Sequence, residues 1–501
     1  MSYLGAILSL CAFYVVFWCL RALYRLTLHP LAKWPGSKLA AVSTEWYEWY
    51  WNMRREGELL HEIERLHKIH GPVIRIGANE LHVNDPDFYL SITNVSSSFH
   101  KEPEFYRQIS LPGTSIGETD PNSHRIRRAV IAPSFSAAHV LKVHAPLIQE
   151  KLRQLCDLID QNTTSGTPVN IKRAFKSLTL DVISKIVFGE EFGVLKSLNA
   201  SHPYLDMLQE TLKGGWISRA FPNVSATMMA LPETIAERLF SIPILVFVRN
   251  CGANVDTYLK KRESNSNAKG TSDVLERLLD PTSAKGHRVP TSKELTDEAL
   301  MLLTAGNDTV SNAMILGLYE VLSAPAVQAE MVSEIVAANP NLGEELGYEQ
   351  VRSLSYVTAV VKEIIRFTNP IPGRLPRVVP PQGYQLHGKF LPPGTVVHTS
   401  AYLLNRHPSV WGDDGHEFKP SRWLAEDTIN LDKYMASFQR GSRQCLGIHM
   451  AWCELTLVLT TLLRRYELQV HDTSRKDMEW KDHLLMLFQG KDFHVMAKRR
   501  V

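Results

Sequence analysis

An uncharged apolar run opens the chain. Residues 3–20 carry no charged side chain and are rich in Leu, Val, Phe and Ala, and a run of this length crosses or nearly crosses the hydrocarbon core of a bilayer. A basic flank follows at Arg21, Arg25 and Lys33, whereas a cleaved signal peptide carries its charges before the apolar stretch. The pattern therefore predicts an uncleaved membrane anchor over residues 1–22, with the rest of the chain on the cytosolic side.

Prolines mark the stretch that follows the anchor. Pro30 and Pro35 lie between residues 23 and 40, and proline cannot continue a helix. A buried core helix is the alternative to an anchor, but a basic flank and a proline directly after the apolar run disfavour it. Residues 23–40 are accordingly predicted to form a stiff hinge that lifts the globular part off the membrane.

Beyond residue 40 the spacing of apolar positions is mostly helical, with short alternating stretches that predict strands. Helical patterns cover residues 40–70, 137–260, 275–279, 291–323 and 449–465. The alternating stretches are 73–83 and 395–397. The polar stretch 263–288 predicts an exposed loop that is interrupted by the helical segment 275–279. Thr291 and Glu294 have capping-box spacing at the start of a long apolar helix. Because no repeat and no break between self-sufficient halves is visible, residues 41–501 are predicted to be one mainly α catalytic domain with a minor β region.

Composition narrows the function classes only slightly. Charged residues make up 21% of the 501 residues and the net charge is +3, which gives no reason to expect a nucleic-acid partner. The six cysteines include no C-x-x-C pair, so they do not suggest a disulfide framework. Their sparseness favours a reducing compartment for most of the chain.

The most informative segment surrounds Cys445. Phe438, Gly441, Arg443, Cys445 and Gly447 stand in a ten-residue stretch that leads into the last predicted helix. A cysteine close to a helix N-terminus is favoured as a thiolate, and a thiolate is a strong ligand for ferric haem. The glycines let the backbone approach a flat ring closely, Arg443 can pair with a propionate, and Phe438 can shield the sulfur. A buried structural cysteine in a loop is the alternative.

This stretch resembles the haem-binding motif of the cytochromes P450, F-x-x-G-x-R-x-C-x-G, at every fixed position. The resemblance implies the cytochrome P450 fold, haem b with its iron axially ligated by Cys445, and activation of dioxygen. The segments around Pro30 and Cys445 look most like filamentous-fungal members, and among these like trichodiene-oxygenase-like enzymes of secondary metabolism.

A second motif precedes the cysteine. Glu363 and Arg366 form an E-x-x-R pattern whose i,i+3 spacing places both side chains on one helix face. Taken alone it would be an ordinary surface salt bridge. The resemblance implies instead that Arg422 completes a structural group with this pair.

The long apolar helix contains a third motif. Gly306, Asp308 and Thr309 interrupt its apolar sequence at a cost in helix stability, and such local exceptions are expected at functional sites. The segment resembles the family's oxygen-binding motif A-G-x-D-T. It implies that Gly306 leaves room for dioxygen and opens a kink, that Thr309 hydrogen-bonds the bound oxygen, and that Asp308 relays protons. The alternative for Thr309 is a hydroxyl bonded to a carbonyl one turn earlier.

Three further basic residues are implied as haem-propionate ligands. His124 and Arg128 resemble the family's W-x-x-x-R segment, with histidine in place of tryptophan, and Arg377 matches a third propionate-binding arginine, although Arg374 is a near neighbour. The alternative for the His124–Arg128 segment is a solvated basic helix face.

The resemblance also implies partners. No dinucleotide or flavin motif is visible, so electrons would come from NADPH through a separate membrane-bound flavoprotein reductase, and Lys433, Arg440, Arg125 and Arg127 are candidates for a basic face that receives it. Largely apolar segments at 100–120, 204–235, 371–373 and 487–488 predict a lipophilic substrate of terpenoid, polyketide or alkaloid type. A haem-thiolate isomerase or dehydratase that does not activate O2 is the alternative function, and a non-enzymatic haem protein a third, but the complete oxygen motif disfavours both.

The expected location is the endoplasmic reticulum membrane, with a single span and a cytosolic catalytic domain. Sequons occur at Asn94, Asn162, Asn199, Asn223 and Asn307. A cytosolic domain predicts that none of them is glycosylated.

Overall fold

The computed structural model describes residues 3–109, 111, 113–196, 243–264, 273–425 and 430–500, with single positions between 204 and 235. Of the sequence predictions, the sequons at Asn199 and Asn223 and most of the 204–235 segment lie outside these residues.

The α-helices of the described residues are, in chain order, α1 Tyr3–Thr27, α2 Lys38–Val42, α3 Thr44–Glu48, α4 Leu59–His70, α5 Pro86–Ile92, α6 Pro103–Ile109, α7 Pro121–Ile131, α8 Ala137–His139, α9 Ala145–Ser165, α10 Ile171–Phe188, α11 Pro243–Ser264, α12 Leu275–Leu279, α13 Ser292–Ser323, α14 Pro325–Ala338, α15 Tyr348–Arg352, α16 Ser355–Thr368, α17 Ala401–Leu404, α18 Pro408–Trp411 and α19 Ile448–Arg465. Two π-helical segments, Trp49–Arg54 and Val140–His144, join neighbouring helices.

The described strands are short: β1 Val73–Gly77, β2 Glu80–Val83, β3 His100–Lys101, β4 Val169–Asn170, β5 Arg377–Val378, β6 Tyr384–Leu386, β7 Lys389–Leu391, β8 Val396–His398, β9 Tyr466–His471, β10 Trp480–His483, β11 Leu485–Phe488 and β12 His494–Arg499. They form a five-stranded sheet of order β1-β2-β8-β5-β3, a three-stranded sheet of order β4-β12-β9, and the hairpins β6-β7 and β10-β11. The architecture is therefore mainly helical with a minor β component, and the predicted fold class is confirmed.

Helix α1 projects from the domain. A span of 23 residues from Gly5 to Thr27 has a mean hydropathy of 2.0 and none of it is buried in the protein. Its apolar side chains, such as Phe13, are exposed. These properties are those of a candidate membrane span, although one apolar helix near the N-terminus is also typical of a signal sequence.

The segment predicted as a hinge packs on the domain. Leu31 is fully buried and Trp34 nearly so, in a cluster that includes Val73. The backbone N–H of Arg75 donates to the carbonyl of Pro35 at 2.6 Å, and the guanidinium of Arg75 donates to the carbonyl of Arg25 at 2.7 Å. Residues 28–36 are thus part of the packed structure, because their apolar side chains fill a gap beside β1.

The core is built around α13. This helix packs against α10, α11, α16 and α19, and its side chains are buried over most of its length. It begins at Ser292 with the predicted capping box between Thr291 and Glu294. The β1–β2 hairpin and the helical segment Leu275–Leu279 also form as predicted.

The sequence between residues 40 and 70 is less regular than predicted. It contains three helices and the π-helical segment Trp49–Arg54 instead of one continuous helix. Glu56 and Gly57 end the π segment with positive φ angles, and this turn lets the chain change direction before α4.

Candidate active site

A tight loop holds Cys445 directly before α19. The backbone N–H of Cys445 donates to the carbonyl of Phe438 at 2.7 Å, which closes the loop. Gly447 is the N-cap residue of α19, so the cysteine lies two residues before the cap, as predicted. Phe438 is half-buried and packs on the main hydrophobic core.

The backbone of the loop requires glycine at position 441. Gly441 has a φ of +68°, and a Cβ atom at this position would lie 2.1 Å from the carbonyl oxygen of Thr93. Both facts exclude a larger residue without displacement of the chain. The segment that follows α5 therefore sets the position of this loop.

Cys445 is an exposed residue. Burial raises the pKa of the Cys445 thiol above its usual value, while the N–H of Gly447 and the positive charge of Arg128 lower it. Desolvation is the largest of these effects. Binding of a metal there would release a proton.

A cluster of basic side chains lies beside this loop. Its members come from β3, α7, β5 and the loop itself: Lys101, His124, Arg128, Arg377 and Arg443. Burial and the positive charges of Arg443, Lys101, Arg128 and Arg377 lower the pKa of His124 to about 3. Burial followed by the charges of Arg377 and Arg443 lowers the pKa of Lys101 well below its usual value. The cluster thus brings together groups that repel one another.

The hydrogen bonds that these cations donate within the described chain go to uncharged acceptors. Lys101 donates to the carbonyl of Ile116 at 2.6 Å, and Arg128 donates to the carbonyl of Gln444 at 2.7 Å. Arg377 donates to the amide oxygen of Gln439 at 3.0 Å. Arg443 donates to the carbonyls of Glu118 and Thr119 at 2.6 and 3.1 Å. Concentrated positive charge with so little neutralisation suits an anionic ligand. A thiol at one end and this cluster at the other fit a haem with its two propionates, and Cys445 would hold the iron.

Sequence reasoning missed Lys101 as a member of this cluster. It is buried in β3, paired with Arg377 of β5, and its ammonium lies 4.1 Å from the centre of the Tyr106 ring. A lysine in a two-residue strand has no periodic signal, so only the pairing with β5 reveals it.

Arg374 and Arg377, which the sequence leaves easily confused, have different surroundings. Arg374 is buried and forms an ion pair with Glu48 at 2.8 Å. Arg377 faces the basic cluster. The geometry therefore supports Arg377 as the propionate ligand.

Asp308 lies at the middle of α13 and is almost completely buried. It forms an ion pair with Lys176 of α10, and its second carboxylate oxygen is without a hydrogen-bond partner among the described residues. Lys176 is a partner that sequence reasoning missed. The ion pair explains how a charged carboxylate is tolerated there, since an unpaired one is costly in the interior.

Thr309 donates its hydroxyl proton to the carbonyl of Ala305 at 2.6 Å. This is the back-bonded arrangement that the sequence left open as an alternative. The hydroxyl oxygen still has lone pairs that can accept a hydrogen bond, so the arrangement is compatible with a role toward a ligand.

Gly306 faces another helix. A Cβ atom on Gly306 would lie 2.7 Å from Cγ1 of Ile183 on α10, and α13 continues as a helix through this position. Close packing of α10 on α13 is therefore sufficient to explain this glycine. The space for dioxygen that the sequence predicts at Gly306 remains a prediction.

We expect Gly306→Ala to destabilise the protein by about 1–3 kcal/mol, because the added methyl group overpacks the contact with Ile183. Chemical unfolding of Gly306→Ala, Ile183→Ala and the double variant would measure the coupling. A coupling of more than about 0.5 kcal/mol is expected if the two positions touch. Additive effects would contradict this account of the glycine.

The E-x-x-R pair is fully buried rather than on the surface. Arg366 contacts both oxygens of Glu363, at 2.7 and 2.8 Å, and Arg422 donates to Glu363 at 3.0 Å, so the predicted group of three is assembled. The indole N–H of Trp423 and the backbone N–H of Lys419 also donate to Glu363, at 2.9 and 2.8 Å.

Arg366 extends this group to the cysteine loop. Its guanidinium donates to the carbonyls of Asn405, Gly415 and Glu417, each at 2.7 Å. The side chain of Asn405 in turn bonds the hydroxyl of Ser437 and the N–H of Ala436, both at 2.8 Å. The chain therefore has a continuous hydrogen-bonded path from α16 to the segment directly before Phe438.

The predicted basic face is assembled only in part. Lys433 is exposed, and Arg440 donates to its carbonyl at 2.9 Å. Arg125 is exposed on α7. Arg127 instead points inward, 3.9 Å from the buried Glu298, so it does not contribute to a surface.

The family model for cytochrome P450 matches residues 43–495 of this chain. The chain is a cytochrome P450. It is 44% identical over 450 residues to the cytochrome P450 monooxygenase sol6 of Alternaria solani, covering 89% of this chain and 96% of that protein. It is 32% identical over 496 residues to the cytochrome P450 monooxygenase macH of Penicillium terrestre, covering 97% and 96%. It is also 31% identical over 469 residues to the tryptophan 6-hydroxylase fscE of Fusarium equiseti, covering 91% and 90%.

Membership of this family makes the P450 an oxidoreductase that carries haem on a cysteine thiolate. The predicted family and reaction class are confirmed. The trichodiene-oxygenase-like placement remains a prediction.

Proposed function

We propose that this P450 is a membrane-anchored monooxygenase that inserts one oxygen atom from O2 into a lipophilic small molecule, in the biosynthesis of a fungal secondary metabolite. The observation that carries the proposal is the joint arrangement of Cys445, the basic cluster and the Asp308–Lys176 pair beside Thr309. Haem bound at Cys445 supplies the oxygen-activating chemistry. The protein positions the cofactor and the substrate and supplies protons.

Each group of residues has a separate task in this proposal. Arg128, Arg377 and Arg443 would hold the propionates by charge and hydrogen bonding, and His124 and Lys101 would donate further hydrogen bonds. Asp308 and Thr309 would bring protons to the oxygen side of the cofactor, and Lys176 holds the carboxylate of Asp308 in place. Glu363, Arg366 and Arg422 hold the segment that carries Cys445.

The substrate is proposed to be apolar because the described residues near the predicted pocket segments are apolar. Phe105, Tyr106 and Trp216 form a buried cluster, with Leu375 and Leu484 packed against it. Leu487 and Phe488 are buried in β11. Terpenoid, polyketide and alkaloid skeletons all satisfy this condition.

The electron donor is proposed to be an NADPH-dependent flavoprotein reductase in the endoplasmic reticulum membrane. Lys433, Arg440 and Arg125 offer positive charge for an acidic partner. Helix α1 would place this P450 in the same membrane as the reductase, with the catalytic domain in the cytosol.

The reaction class is tested with reductase, NADPH and ¹⁸O2. Substrates are first selected from terpenoid, polyketide and alkaloid compounds by the shift of the Soret band on binding. A monooxygenase gives a product with one labelled oxygen for each productive NADPH. Formation of an unlabelled product without NADPH consumption would favour the isomerase or dehydratase alternative.

We expect Thr309→Ala to separate NADPH consumption from product formation. The variant loses the hydroxyl but little volume, so it should fold, and product per NADPH should fall by about tenfold or more while hydrogen peroxide rises. Thr309→Ser keeps the hydroxyl and is the matched control that should restore the yield. Asp308→Asn should instead slow turnover itself. If Thr309→Ala and Asp308→Asn both kept the wild-type yield and rate, the pair would have only a structural role.

A further inference from the structure

A second cluster of ligand-type side chains lies outside the haem site. It consists of His139, His144 and Asp273, whose ligand atoms all lie within 4.8 Å of one another. His139 ends α8, His144 ends the π-helical segment before α9, and Asp273 precedes α12. None of these elements carries Cys445 or Asp308.

The π-helical segment explains why the two histidines meet. Residues five apart lie on different faces of a regular α-helix, but an i→i+5 hydrogen-bonded turn brings them to one side. Val140–His144 is such a segment, and the two imidazole rings have centroids 4.9 Å apart. π turns within helices are frequently found at functional sites.

The imidazole of His144 is held in one orientation by a hydrogen bond. Its Nε2 lies 2.9 Å from the carbonyl oxygen of Ser134, and because a carbonyl only accepts, Nε2 carries the proton. The other ring nitrogen, Nδ1, lies on the side of Asp273. His144 is fully buried, and this Nδ1 has no hydrogen-bond partner in the described part of the chain.

The separations suit a metal ion better than a hydrogen bond. Nε2 of His139 lies 3.1 Å from Oδ2 of Asp273, and Nδ1 of His144 lies 3.8 Å from the same oxygen. Among the residues that the structure describes, neither nitrogen has a hydrogen-bond partner. Ligand atoms around a tetrahedral Zn²⁺ are about 3.4 Å apart, given metal–ligand bonds of about 2.0–2.1 Å.

The cluster also has the outer partners that metal ligands usually have. The hydrogen bond from His144 to the Ser134 carbonyl orients the ring, as is common for zinc-bound histidines. The hydroxyl of Ser134 donates to the backbone carbonyl of Asp273 at 2.8 Å. Ser134 therefore forms hydrogen bonds with two of the three ligand residues, His144 and Asp273.

We propose that His139, His144 and Asp273 bind one Zn²⁺, with water completing the coordination. Two neutral imidazoles and one carboxylate are a common zinc ligand set that leaves a position open. The ion would fasten the chain before α12 to the start of α9. The buried side chains of Val274 and Leu275 already pack in the same cluster as Val140 and Ala145, so the ion would add a polar link to segments that are packed together.

The test uses the full-length haem-loaded protein in detergent micelles. Equilibrium dialysis against buffered Zn²⁺, followed by measurement of zinc relative to haem iron, should give one zinc per protein for the wild type. His139→Gln and Asp273→Asn change partly exposed residues, and each should weaken zinc binding more than tenfold. His70→Gln and Asp280→Asn alter exposed residues of the same types and should leave binding unchanged.

Thermal unfolding gives a second reading. Zinc should raise the midpoint of the wild type and of the two controls, and a chelator should reverse the rise, because a ligand that binds only the folded state stabilises it. Asp273→Asn should show no rise. The reduced carbon monoxide spectrum would establish that each variant retains its haem site. The proposal is overturned if the wild type binds no more zinc than Asp273→Asn, or if the two control substitutions reduce binding equally.

Discussion

Arg366→Met is expected to lower the free energy of unfolding by about 3–5 kcal/mol, because it leaves the buried carboxylate of Glu363 without its bidentate partner. Arg422 and Trp423 still contact Glu363, but the carbonyls that Arg366 bonds in the native protein would lose their donors. A buried acceptor without a donor carries its own desolvation cost. Urea unfolding, with the linear dependence on denaturant, measures the loss.

The same substitution should also reduce haem incorporation. Asn405 connects Arg366 to the backbone before Phe438, so loss of Arg366 releases the support of the cysteine loop. Haem content per protein should therefore fall in cells grown under the same conditions.

Arg352→Met is the matched control. Arg352 and Glu349 have the same i,i+3 spacing, but they are exposed and 3.9 Å apart, and exposed pairs contribute about 0–1 kcal/mol. Equal losses for Arg352→Met and Arg366→Met would show that burial of the E-x-x-R pair does not matter.

Cys445→His should abolish the red-shifted Soret band of the reduced protein with carbon monoxide, and monooxygenase activity with it. Only a thiolate ligand gives that band, and an imidazole donates less electron density to the iron. We expect no detectable monooxygenase activity, even if haem remains bound. Absorbance spectra and a pyridine assay for total haem distinguish loss of the ligand from loss of the cofactor.

Cys453→Ala serves as the control for this experiment. Cys453 is fully buried in α19 and has a thiol whose pKa burial raises, so it is a packing residue eight positions away. The band should persist in Cys453→Ala. If the band disappeared in Cys453→Ala and persisted in Cys445→His, the iron ligand would be Cys453 and not Cys445.

The sequence allowed the local parts of this site to be predicted. Cys445 before a helix, the i,i+3 pair Glu363–Arg366 and the capping box at Thr291 each depend on residues a few positions apart, where backbone geometry alone decides what meets. The resemblance to the family added Arg422, which no local pattern could have supplied.

The remaining parts depend on contacts between distant segments. Lys176 meets Asp308 across 132 positions of the chain, and Lys101 reaches the basic cluster only through the pairing of β3 with β5. Gly306 illustrates the same limit, because its nearest contact is Ile183 on another helix. Periodicity reports which face of a helix is apolar, but it does not report which helix will cover it.

Burial, rather than hydropathy, decides where the anchor can be separated from the enzyme. The apolar run ends at residue 20, yet Leu31 and Trp34 fill part of the domain core, and Arg75 holds the carbonyl of Arg25. A soluble form cut just after the apolar run keeps these contacts, whereas one cut at the prolines would open a cavity beside β1. Because Arg75 holds the carbonyl of Arg25 in the last turn of α1, a change in the direction of this helix would be transmitted to the domain.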